Sequence, residues 1–110
     1  MPRGLRAAIV SVVDVLPLVW TGALDLDESR RFRVVAADAL DRARSAGVPL
    51  AFDLGEAGVI DRDGLSMLVA LGRTARAMGV PVRIDRPPIS LRGALEQAGA
   101  VGLFEWPEDG

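Results

Sequence analysis

The chain has 110 residues, half of them apolar and a quarter charged, the balance of one globular domain with one core, spanning 1–110. A net charge of −2, with no cluster of basic residues, argues against nucleic acid and anionic membrane as partners. Neither Cys nor His occurs, which removes disulfides, the usual zinc sites, His-based acid/base catalysis and Cys nucleophiles.

No metal or cofactor is therefore expected. A reducing cytoplasm is the expected location. Asp14 interrupts the early apolar run, so no signal-peptide pattern forms. No apolar run approaches the roughly 18 residues that cross a membrane.

In chain order, Ala7 to Val13 is rich in Val and Ile and reads as a strand. Asp14 to Pro17 reads as a turn, and Leu18 to Thr21 as a second strand paired antiparallel to the first. The acidic run Asp25-Leu26-Asp27-Glu28 supplies a helix start, where unpaired N–H groups and the dipole favour negative charge. The helix is predicted from about Asp27 to Ala46, with Phe32, Val35, Ala36, Ala39 and Ala43 as its apolar stripe. Gly47 stops it and Pro49 prevents continuation.

Leu50 to Leu54 alternates as a third strand. Asp61 caps a second helix, from about Asp63 to Met78, with Leu65, Leu68, Val69, Gly72 and Ala75 inward. Gly79 ends it. Pro81 to Asp85 is a fourth strand and Pro87-Pro88 a stiff connector. Ile89 to Ala98 is a third helix, with Leu91, Ala94, Leu95 and Ala98 inward, and Leu103 to Trp106 a last short strand. The order β-β-α-β-α-β-α-β gives an α/β fold: a mixed sheet with helices packed against it and right-handed crossovers. Its core is expected over about 7–106.

Three stretches carry a family pattern. Thr21-Gly22-Ala23-Leu24-Asp25 resembles the G-E-L-D that follows the second strand of STAS domains. Phe52-Asp53-Leu54 with Val59-Ile60-Asp61-Arg62-Asp63-Gly64-Leu65 is similar to the family's L-D-L and F-x-D-S-S-G-L. Ala98-Gly99-Ala100-Val101-Gly102-Leu103-Phe104 resembles its S-G-L-x-x-x-F. Each motif alone is weak; in order, with the expected element between each pair, they are specific. The resemblance to bacterial anti-sigma-factor antagonists implies a non-catalytic regulatory module of transcription. It implies docking onto a kinase-like anti-sigma factor through the loop and helix at 61–76.

In that family the kinase phosphorylates the first Ser of D-S-S-G, and the added charge and bulk disrupt the interface. Here the two Ser positions hold Arg62 and Asp63, a degenerate phosphosite that cannot accept phosphate as Ser would. Arg62 reads as a neutral surface residue, a partner contact suited to carboxylates, or a block to the old partner. Asp63 reads as a phosphate mimic or, more simply, as good first-turn helix chemistry. Asp61 and Asp25 serve equally as docking residues and as caps. Gly64 permits close approach. Arg73 and Arg76, on the outer side of the second helix, lie where a family partner would meet the domain. Ser66, one turn in, is not expected to replace the lost hydroxyl.

Asp53 and Asp61 could be read as a carboxylate pair for acid/base work, but with no third chemical partner and no Gly-rich phosphate loop no enzyme is expected. The resemblance leaves two further roles open: the STAS subunit of a phospholipid-transport ABC system, docked on its ATPase, and a self-associating scaffold or homodimer.

Overall fold

The computed structural model describes residues 14–107. The expected opening strand at 7–13 and its antiparallel pairing lie outside them. Three strands, β1 (Leu16–Val19), β2 (Leu50–Asp53) and β3 (Val82–Asp85), form a sheet in the order β1-β2-β3. Both pairings are parallel, with Leu18 opposite Phe52 and Phe52 opposite Ile84. The sheet is parallel throughout the described residues, and the antiparallel strand expected to make it mixed lies outside them.

The expected turn at Asp14 to Pro17 is half strand. Leu16 and Trp20 donate their N–H groups to Pro49 and Asp53, so alternate residues of β1 face β2. Pro17, which has no N–H, falls on the side facing away, where it costs the ladder nothing.

Helix α1 (Leu26–Ala46) follows β1 and helix α2 (Arg62–Met78) follows β2. Because the strand order never reverses, right-handed crossovers place both helices on one face, packed against each other. Each ends at a left-handed glycine, Gly47 (φ 70°) and Gly79 (φ 77°), whose N–H groups bond back to the last-turn carbonyls.

Between the helices and the sheet lies the core. Phe32, Phe52, Leu24, Leu40, Leu50, Leu54, Leu68, Ile84 and Leu95 are its largest fully buried side chains. Trp20 meets Phe32 edge-on at 4.9 Å, and Phe32 meets Phe52 at 5.3 Å. Such pairs add about 0.5–1.5 kcal/mol each beyond burial.

The buried stripe of α1 is Phe32, Ala36, Ala39, Leu40 and Ala43. Val35, expected inside, is 43% exposed, because at 100° per residue it falls about 90° from the centre of that stripe. Helix α2 buries Met67 and Leu71 as well as Leu68, Gly72 and Ala75, while Leu65 and Val69 are half-buried at its flank. Ala51, on the opposite face of β2 from Leu50 and Phe52, is also buried.

Helix α3 is shorter than expected, Leu91–Gln97, and leaves Ala98 exposed. The expected last strand is instead a 3-10 turn, Val101–Leu103, followed by a single bridge between Glu105 and Arg83. Phe104 explains the change. Its ring fills the notch over Gly72, where a Cβ would sit 2.8 Å from the ring's Cζ. Turning Phe104 inward leaves only Glu105 in line with β3.

Candidate functional site

A parallel sheet brings every strand's C-terminal end to one edge, and with them the loops at 20–25, 54–61 and 86–90. The first two loops zip together. Gly58 donates to the Gly22 carbonyl at 3.0 Å, Leu24 to Val59 at 2.8 Å and Asp61 to Leu24 at 3.2 Å. This holds the first turns of α1 and α2 side by side.

Asp25 caps α1 by accepting the Glu28 N–H at 3.0 Å, and Asp61 caps α2 by accepting the Gly64 N–H at 3.0 Å. Gly64 is required by close approach: a Cβ there would overlap the Leu24 carbonyl oxygen and lie 2.8 Å from its carbon. Asp25, Asp61 and Gly64 are thus brought together by the backbone, and two of them are caps. Arg62 and Asp63 point from this platform into solvent. Among the described residues neither forms an ion pair.

Arg73 and Arg76 share the exposed stripe of α2 with Arg62 and Ser66, but lie about 16 and 21 Å further along the axis. Arg76 is also an anchor, since its guanidinium donates to the Gly102 carbonyl at 2.8 Å and ties the 3-10 turn to α2. The expected site residues therefore form two groups: a compact platform at 25 and 61–64, and two arginines at the far end of one helix.

Asp53 and Asp61 do not form a carboxylate pair for acid/base work. Asp53 accepts two bonds from Arg86, both at 2.9 Å, and one from the Gly55 N–H at 3.0 Å. The Arg86 bonds, then the Gly55 bond, hold its carboxyl below the usual carboxylate range. One carboxylate is clamped and the other caps a helix.

Two features of this edge escape the sequence reading. Arg86 follows β3 with φ 48° and crosses Gly55 to reach Asp53; it couples the β2–α2 and β3–α3 loops. Between those loops runs a groove of about 380 Å³, lined on one side by Val59, Ile60, Asp61, Arg62 and Leu65 and on the other by Pro88, Ser90, Leu91 and Ala94. Val59 (75% exposed) lines it, and the fully exposed Ile89 sits in the chain between two lining residues, Pro88 and Ser90. The Pro87-Pro88 pair hinted at a rigid loop, but no pattern in the sequence marks Arg86 as its partner to Asp53.

Among the described residues no cluster of acidic side chains is suited to hold a metal ion, and no helix is long and apolar enough to cross a membrane. No family model and no curated protein matches the chain. Solved structures do match its fold. The anti-sigma factor antagonist SpoIIAA in its unphosphorylated form superposes with a TM-score of 0.64 at 13% identity, over 88% of this chain and 82% of that one. A Thermotoga maritima protein provisionally assigned as an anti-sigma factor antagonist gives 0.70 at 15% identity, over 87% and 81%. The chain has the STAS-like α/β fold of these proteins.

Proposed function

We propose that this chain is a non-catalytic regulatory module that docks a kinase-like anti-sigma factor through the loop and helix at 61–76, and that phosphorylation at position 62 does not switch it. The observation that carries the reading is the platform at the start of α2. Its backbone is held by three loop-to-loop hydrogen bonds, and it presents Arg62, with no hydroxyl, to solvent. The likeness of the fold to two anti-sigma factor antagonists supports the class of partner. Arg62, Arg73 and Arg76 along one exposed stripe suit carboxylates on that partner, because guanidinium groups pair with them bidentately.

The test mixes the protein with the kinase-like anti-sigma factor of its own genome and ATP. Binding without a phosphate mass shift at residue 62 is expected. Phosphorylation of Arg62→Ser, with the parent protein unmodified, would show the docking surface intact and only the acceptor lost. No binding by either protein sinks the reading. The missing hydroxyl equally suits a subunit of a phospholipid-transport ABC system, which needs no such switch; co-purification with an ABC ATPase in place of the anti-sigma factor would decide for it.

A further inference from the structure

The groove beside the α2 platform has a shape and charge that match a particular occupant. We infer that it receives a second copy of this chain, in a two-fold dimer that inserts Ile89 of each copy into the groove of the other. The inference rests on the groove's geometry and not on the anti-sigma-factor reading; either survives the failure of the other.

A two-fold interface uses the same patch twice, so the patch must complement itself. This one does so in shape. Ile89 is a fully exposed apolar knob, and the groove next to it is a hole of about 380 Å³ floored by Ile60, Leu65, Leu91 and Ala94. That volume lies near the lower end of the roughly 300–1,000 Å³ typical of binding pockets, enough for one side chain and its neighbours.

It also complements itself in charge. Asp61 and Arg62 are consecutive and exposed on one wall of the groove, and Asp63, also exposed, follows them in the chain. Across a two-fold axis, Arg62 of each copy meets an acidic residue of the other. The Asp61 cap uses only Oδ1 toward Gly64, leaving Oδ2 to accept a guanidinium.

The knob is held ready. Pro87 and Pro88 restrict the loop's backbone, the Pro88 carbonyl accepts the Leu91 N–H at 3.0 Å, and Arg86 bolts the loop's base to Asp53. A side chain presented by a rigid loop loses little entropy on docking. Val59, exposed on the opposite side of the groove, adds apolar surface that the second copy covers. Because Arg62 belongs to both surfaces, the dimer hides part of the α2 platform and opposes binding of any partner there.

The molecular mass in solution tests this, by sedimentation from about 1 µM to about 1 mM. A monomer–dimer equilibrium is expected, weakened about 100-fold by Ile89→Asp, since both copies lose an apolar contact. Because the chain contains no cysteine, introduced thiols report the geometry without background. A mixture of Ile89→Cys and Leu65→Cys chains should form a disulfide-linked pair on mild oxidation, and a mixture of Arg73→Cys and Leu65→Cys should not. A monomer at the highest concentration, a dimer indifferent to Ile89→Asp, or equal cross-linking by both mixtures overturns the inference.

Discussion

Two glycines in helices make opposite predictions for the same substitution. Gly64 sits in the first turn of α2 against the Leu24 backbone, and a methyl group there would overlap the Leu24 carbonyl oxygen. The obstacle is backbone, so the clash is relieved only by separating the two loops. Leu24 also donates to Val59 and accepts from Asp61, and both bonds are strained by that shift. With about 0.5–1.5 kcal/mol for each of the two bonds and about 1–3 kcal/mol for forced overpacking, Gly64→Ala should cost about 2–6 kcal/mol. Gly93, inside α3, has nothing within 4 Å of where a Cβ would stand. There alanine only removes the helix penalty of glycine, so Gly93→Ala should stabilise by about 0.5–1 kcal/mol. Urea and thermal unfolding of the three proteins measure both changes. For a domain of this size the first should lower Tm by about 10 °C or more, and the second raise it by a few degrees. A Gly64→Ala protein within about 0.5 kcal/mol of the parent would refute the account of how the platform is held.

Three further outcomes follow from named contacts. Asp61→Ala and Asp25→Ala each remove a cap from an α-helix and should cost about 1 kcal/mol in urea unfolding. Phe52→Ala empties one end of the Trp20–Phe32–Phe52 stack, where Phe52 is fully buried, and should cost about 3–5 kcal/mol in the same assay. Asp53 has a lowered pKa in the folded state, so its contribution is present above the unfolded pKa near 3.8 and disappears as pH falls through the lower folded value. Stability measured below about pH 4 should therefore fall less steeply for Asp53→Asn than for the parent; identical slopes would remove Asp53 from the acid dependence.

The elements of the fold were legible where a period or a stop signal was strong. Both long helices begin within one residue of the expected start, because Asp25 and Asp61 are caps, and end at Gly47 and Gly79 as expected. The failures are tertiary. Val35 looked apolar and periodic, but the core's direction is fixed by Phe32 and Leu40. The last strand was lost to the notch at Gly72, which no local pattern announces. In the site, the platform residues were legible because caps and a close-approach glycine have sequence signatures. Arg86 was not, since it acts on Asp53 from 33 residues away through an unusual backbone angle. Ile89 was read as the start of a helix; its role depends on how the loop lifts it clear.

The order of the strands also bears on what this edge can bind. In open α/β sheets, small ligands settle at the strand C-terminal ends where the order reverses and adjacent loops diverge to opposite faces. Among the described residues the order β1-β2-β3 has no reversal, so the loops after β1 and β2 run to the same face and zip together through Leu24. The crevice that would cradle a nucleotide is closed by backbone hydrogen bonds and by the absent Cβ of Gly64. What remains is a firm surface with a shallow apolar groove and unpaired charge at its border. A surface of that kind suits contact with another folded protein, where rigid presentation limits the entropy lost on docking. Two helix starts locked side by side make the platform rigid enough to be recognised by another folded protein.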